Sequence, residues 1–261
     1  MTTPPGSAHW DGATYDRVSG PQERWGRGVV ARLALDGSET VMDAGCGSGR
    51  VTEVLLERLP RGRVIAVDAS PSMLAQARRR LSQRAAQVQF RQADLLELDV
   101  QTLGIDSGVD GILSTSTFHW VTDHERLFAS LAGVLRPGGQ LVAQCGGEGN
   151  LERLLAAVRS LGMERRGMWL YASVEDTASR LRDAGFADVQ VWSNPEPTPF
   201  VDQTALAEFL EAVCLRDHLA GIPRHARRAF VARVVAQMPE PVLDYVRLNI
   251  VARRSMGRHA R

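Results

Sequence analysis

The spacing of apolar residues divides the first 150 positions into short buried runs separated by stretches of helical period. The segments 40–45 (TVMDAG), 63–70 (RVIAVDAS), 88–94 (VQFRQAD), 108–117 (GVDGILSTST) and 140–146 (QLVAQCG) read as strands. Between them, Val51, Val54, Leu55 and Leu59 recur at helical spacing over 50–59. Ser70-Pro71 opens a helix with proline at its first position, running to Leu81. A helix over 123–135 is stopped by RPGG at 136–139, and another covers 21–35. Strand and helix in alternation predict a parallel sheet covered on both faces. Such sheets take ligands beyond the carboxyl ends of their strands, so the residues just after each strand carry the interest.

Past residue 150 the rhythm changes. Residues 150–185 read as helices, the last ending at Gly185 in LRDAGF. DVQVW (188–192) and YVRLNIVAR (245–253) read as strands. Between them lie NPEPTPF (194–200), whose Pro195, Pro197 and Pro199 predict a semi-rigid arm, and helices over 203–219 and 223–237. Leu206, Phe209, Leu210 and Val213 share one face, and Arg216 follows one turn on, on the same side. This predicts a flexible N-terminal segment and cap (1–20), a core (21–195), a helical lid (196–244) that turns Arg216 toward the site, and a final strand and tail (245–261).

Composition narrows the function classes. The 261 residues are 44% hydrophobic and 23% charged with a formal net charge of +1, an ordinary globular balance. Nothing in that balance draws the chain to nucleic acid or to a membrane surface. All basic residues counted as Lys or Arg are Arg, and the acids match them. Cys46, Cys145 and Cys214 have no close spacing, so neither a disulfide framework nor a metal site is expected, and a reducing, cytoplasmic compartment fits. The first ten residues, MTTPPGSAHW, have no basic start or apolar run, residues 1–8 lack periodicity, and no apolar run spans a bilayer.

Chemistry enters with VMDAGCGSGR (41–50), where Gly45, Gly47 and Gly49 alternate after an acid. Such a loop is a tight strand-to-helix turn, a dinucleotide site or another nucleotide-like site. The dinucleotide fingerprint wants a small residue where Arg50 stands, and the absence of a loop lysine excludes a P-loop. Asp43 to Gly49 resembles the first motif of class I S-adenosylmethionine (SAM) dependent methyltransferases. That resemblance implies SAM as cofactor and S-adenosylhomocysteine as product. It implies a cofactor set of Asp43, Gly45, Cys46, Gly47, Gly49, Asp68, Ala69, Met73, Asp94, Leu95 and Ser114. Asp68 stands where an acid reaches ribose hydroxyls, Asp94 where one holds the adenine amino group, and Met73 where an apolar side chain packs on adenine.

Three further stretches widen the match: HWDGATYDRVSGPQERWG, STSTFHWVTDHERLFASLAGVLRPGGQLVAQ and EFLEAVCLRDHLAGI resemble the trans-aconitate 2-methyltransferase-like family, from Trp10 to Arg254. The resemblance implies a doubly wound, Rossmann-like seven-stranded α/β sheet, its last strand antiparallel, with N-terminal helices and a helical lid insert. It implies methyl transfer (EC 2.1.1) to a small-molecule acceptor, through oxygen on a carboxylate. Trp10, Tyr15 and Trp120, with Phe118, are the aromatic candidates to face the sulfonium and acceptor. His119 is either a general base or a wall residue that orients the acceptor, and relatives often carry Gln there. Arg216 is the candidate carboxylate clamp. The family's Gly-Thr-Gly-Leu-Arg segment here reads AVCLRDHL (212–219), with Val213 and Cys214 replacing the threonine and second glycine. These apolar surroundings suit a monocarboxylate better than a tricarboxylate. Methylation of carbon or hydroxyl oxygen, and SAM binding without turnover, stay open on the sequence. Oligomeric state is not legible in it.

Overall fold

The computed structural model describes residues 20–163 and 167–256, with the side chains of 20–23 outside the description. Trp10 and Tyr15, and the aperiodic residues 1–8, lie outside the described residues. In chain order the elements are α1 (Gly20–Val30), β1 (Thr40–Ala44), α2 (Arg50–Glu57), β2 (Arg63–Asp68), α3 (Pro71–Arg80), β3 (Val88–Gln92), α4 (Val100–Leu103), β4 (Val109–Thr115), α5 (His124–Val134), β5 (Leu135–Gly146), α6 (Glu152–Ser160), α7 (Val174–Asp183), β6 (Phe186–Pro199), α8 (Gln203–Phe209), α9 (Arg216–Ala220), α10 (Arg224–Ala236) and β7 (Val242–Arg254), with short 3-10 and π turns between some of them.

The seven strands form one sheet in the order β3-β2-β1-β4-β5-β7-β6. β1 to β5 run parallel, and β7 lies antiparallel to both β5 and β6. The central strands are apolar without alternation because both faces are covered: Val64, Ile65, Ala66 and Val67 on β2 are all fully buried. α5 and α7 supply Leu127, Phe128, Leu131 and Leu181 to the core on one face. α1 and α2, with Leu74 of α3, close the other. Strand order reverses between β1 and β4, so a crevice opens there at the carboxyl ends. No helix of the described residues is long and apolar enough to cross a membrane.

Two element boundaries differ from expectation. RPGG does not sit between α5 and β5. It belongs to β5, where pairing jumps from Val109↔Leu135 to Gly111↔Gln140 and the intervening residues bulge outward, with Gly138 at φ 76°. The three prolines are not an arm either. β6 continues through them, paired with β7 from Gln190 to Pro199. Pro195, Pro197 and Pro199 share one parity on an edge strand, so the missing N–H groups are those aimed at the open edge, which blunts it against further strand pairing. The helical insert therefore spans 203–236, shorter than the expected 196–244.

Candidate functional site

A cavity of about 380 Å³ opens at the carboxyl ends of β1, β2 and β4 and extends beneath the helical insert. At one end it is lined by Gly45, Gly47, Asp68, Ala69, Met73, Asp94 and Leu95. Gly45 has φ 80°, and a Cβ there would run into the Thr117 side chain; Gly47, at φ 54°, faces open space. A backbone bare of side chains beside a cavity is what close approach of a ligand requires. Asp68 is fixed by its own surroundings: Oδ2 accepts the Gly47 amide at 2.9 Å and Oδ1 the Ser70 amide at 2.8 Å. Burial pushes its carboxyl above the usual range. Each oxygen keeps a second lone pair for a ribose hydroxyl. Asp94 accepts the Leu96 amide through Oδ1 (3.0 Å), which caps the short turn after β3. Ser70 caps α3 through the Met73 amide, and this places Met73 on the cavity wall. These residues fit SAM.

Other members of the expected cofactor set stand behind this wall. Asp43 is buried at the end of β1, takes the Thr52 hydroxyl at 2.6 Å, and is pushed by burial to about 7; its Oδ1 has no hydrogen-bond partner. Cys46 packs into the core, its thiol held well above the ordinary value by burial. Gly49 begins α2 at φ 83° against Ala77. Ser114 ties β4 to β1 by donating to the Ala44 carbonyl at 2.7 Å. None of these four lines the cavity.

The other end is built from side chains. His119, Trp120, Trp169, Tyr171, His218 and Arg247 all line it. Leu170 donates its amide to the His119 carbonyl (2.8 Å), so the 169–171 segment hangs from the turn after β4. His119 is 8% exposed, and its Nδ1 accepts the Gly146 amide at 3.3 Å. That contact assigns the neutral ring's proton to Nε2. Burial, with the Arg247 charge nearby, holds His119 down at about 3. Phe118 turns the other way, into the core against Phe128.

Arg247 was not among the residues expected from sequence. It sits opposite Gly146 in the β5–β7 ladder and is 3% exposed. Its guanidinium donates to Ser116 Oγ (2.9 Å) and to Gln144 Oε1 (3.4 Å) and lies 4.4 Å from the centre of the Trp25 ring. Ser116 itself has φ 55°, a strained left-handed turn held at the tip of β4. Gln144 in turn donates to Asn249, which also accepts from Arg32 at 2.6 Å. A signal existed: Tyr245, Arg247 and Asn249 alternate with Val246, Leu248 and Ile250, which puts three polar residues on one face of a buried strand.

Arg216 is not where the helical period placed it. Val213, Cys214, Leu215 and His218 line the cavity, and Arg216 does not. The cause is a π turn over Leu210–Cys214, closed by the bond from the Leu215 amide to the Leu210 carbonyl. The extra residue rotates everything after it by about 100° relative to an α-helix. Arg216 instead pairs with Asp217 at 3.4 Å, with 18% of its side chain exposed. Among the described residues no cluster of His, Cys, Asp and Glu is placed to hold a metal ion.

Comparison with known proteins agrees with the fold. A methyltransferase domain family matches residues 41–139, which run from β1 into β5. The trans-aconitate 2-methyltransferase of Methylobacterium nodulans is 31% identical over 272 residues, covering 95% of this chain and 99% of that protein. Among solved structures, the YcgJ protein of Bacillus subtilis superposes with a TM-score of 0.63 at 17% identity, over 90% of this chain and 100% of that one. The [4+2]-cyclase SpnF superposes at 0.59 with 19% identity, over 90% and 82%. These two likenesses speak for the fold alone.

Proposed function

Since the chain belongs to the trans-aconitate 2-methyltransferase family and is a SAM-dependent methyltransferase acting on a small molecule, we propose that its acceptor is a carboxylate and its product a methyl ester. One observation carries the reading: the buried Arg247 guanidinium lines the same cavity as the glycine loop, Asp68 and Asp94. A guanidinium matches a carboxylate in charge and in its planar fork.

When bound, SAM supplies a methyl group on a positively charged sulfur. Transfer of that methyl to an ionised carboxylate oxygen, with the C–S electron pair left on sulfur, would cancel the two charges and require no proton transfer. The protein's work is therefore placement and exclusion of water. Gly45 and Gly47 would let the donor approach the backbone, Asp68 and Asp94 would hold its ribose and adenine, and Met73 would pack on the base. Arg247 takes the acceptor carboxylate, and His119, neutral, offers its Nε2–H as an orienting donor rather than a base. Trp120 walls the reacting centre. The insert acts as the lid, through Val213, Cys214, Leu215 and His218, while Arg216 pairs with Asp217 outside the cavity lining.

The test uses methyl-labelled SAM and a set of small acids. Mild alkali should release the transferred label as methanol. A label that survives alkali would point to carbon or ether methylation and overturn the ester.

A further inference from the structure

The acceptor end of the cavity differs sharply from what a polyanion would need. Trp169 stacks on Tyr171 with ring centres 5.9 Å apart and meets Trp120 edge-on at 5.9 Å. His119 adds a tilted face 5.8 Å from Tyr171, and His218 another 5.8 Å from Trp169. The polar atoms in this wall are largely engaged with one another: Asn150 donates toward Tyr171, whose phenol burial pushes up, and Cys214 lies 3.6 Å from the Tyr245 hydroxyl. Among the described lining residues Arg247 supplies the one guanidinium, and the chain contains no lysine. The remaining charges on the wall, Asp68 and Asp94, are negative and belong to the cofactor end. The other titratable groups in the wall carry no charge to meet a second carboxylate: His119 is held neutral, and burial pushes Tyr171, Cys214 and Tyr245 up; His218 completes the set.

From this juxtaposition of one buried cation with a continuous bank of ring faces, we infer that the acceptor is a flat aromatic monocarboxylate, its carboxylate on Arg247 and its ring among Trp120, Trp169 and Tyr171. The inference rests on the ester reading above and narrows it. Each ring face is apolar in area and negative in quadrupole, so it favours an aromatic edge or an offset stack and disfavours a second carboxylate. A tricarboxylate would bring two further charges against an apolar wall with no matching cations among the described lining residues, and unpaired charges taken out of water are heavily penalised. An alkyl chain would fill the space without the ring–ring geometry.

Three probes decide it: trans-cinnamate, octanoate and trans-aconitate, each with methyl-labelled SAM and the full-length enzyme. We expect kcat/KM for trans-cinnamate to exceed that for trans-aconitate by at least about a hundredfold. Trp169→Leu should lower turnover of trans-cinnamate by about tenfold and leave octanoate within about threefold, a split that a general loss of fold would not give. Arg247→Met should abolish turnover of both monoacids while SAM still binds by calorimetry. Preference for trans-aconitate overturns the inference, as does failure to turn over either monoacid, or an equal loss for both in Trp169→Leu. Preference for trans-aconitate with an alkali-labile ester as product would sink this inference alone. An alkali-stable product would sink the ester reading whichever acid is preferred.

Discussion

At the cofactor end of the cavity the chain presents backbone: two glycines with positive φ, and a carboxylate, Asp68, gripped by the amides of Gly47 and Ser70. At the acceptor end it presents side chains, drawn from α1, the turn after β4, the 169–171 segment, the insert and β7. Backbone recognition depends on a local conformation, so its residues lie close together after β1, β2 and β3 and tolerate little change. Side-chain recognition depends on tertiary packing, so its residues are scattered and free to diverge. A family can thus keep its donor while its acceptor changes.

The comparison breaks most severely at Gly45. Gly45→Val forces a β-branched residue to φ 80° and into Thr117. The left-handed strain and the overpacking each cost about 1–3 kcal/mol. We expect about 3–5 kcal/mol of lost SAM affinity or stability, separable by calorimetry and urea unfolding. Asp68→Ala comes next. It should weaken SAM binding by about 1–3 kcal/mol, the worth of a hydrogen bond to a charged group, and leave the order of acceptor preference unchanged. A changed order would mean that the two ends are not independent.

A smaller effect probes how Arg247 is held. Ser116→Ala removes the acceptor of the 2.9 Å bond from the guanidinium but keeps the charge in place. Loss of one such contact is worth about 1 kcal/mol. We expect KM for the acid to rise about fivefold at unchanged SAM affinity, measured by steady-state kinetics at saturating SAM. A fall in SAM affinity instead would assign Ser116 to the donor.

The same contrast sets what sequence could tell. Apolar runs bounded by turn residues located all seven strands, and Ser70-Pro71 marked the start of α3 because a cap and an N1 proline act locally. The glycine loop was legible for the same reason. The long reach of β6 was not, because three prolines read as a break unless the strand is known to be an edge. Arg216 was misplaced because a single π turn over 210–214 shifts the phase of every later residue, and no residue type announces it. Arg247 was hidden in YVRLNIVAR, a stretch that reads as a strand without marking any side chain for function. Its place in the cavity wall emerges from pairing with Gly146, a relation between segments about a hundred residues apart.

His119 carries the smallest expected effect, and it sharpens the comparison by its near absence. A general base with an ordinary imidazole would impose an acid limb on kcat/KM at about pH 6.5. Here burial and the neighbouring Arg247 hold the ring at about 3 in the folded protein. It stays neutral across the working range, with Nδ1 on the Gly146 amide and the proton on Nε2. The profile of kcat/KM with a carboxylate acceptor should therefore show no limb from this residue between about pH 5.5 and 7.5, roughly one unit either side of an ordinary histidine. Stability behaves differently. In the unfolded chain the ring ionises at about 6.5, so the unfolded state binds the extra proton first as pH falls. Whatever this histidine contributes to stability is present in full above about 6.5 and is lost progressively as pH drops toward 3. His124, also held low by burial, adds the same sign. His119→Gln can accept from Gly146 and donate to the acceptor, so it should keep kcat/KM within about tenfold, with a weaker acid destabilisation in urea melts at pH 5. A limb near 6.5 that His119→Gln abolishes would instead make the ring a base, and the acceptor would then have to carry a proton that a carboxylate lacks.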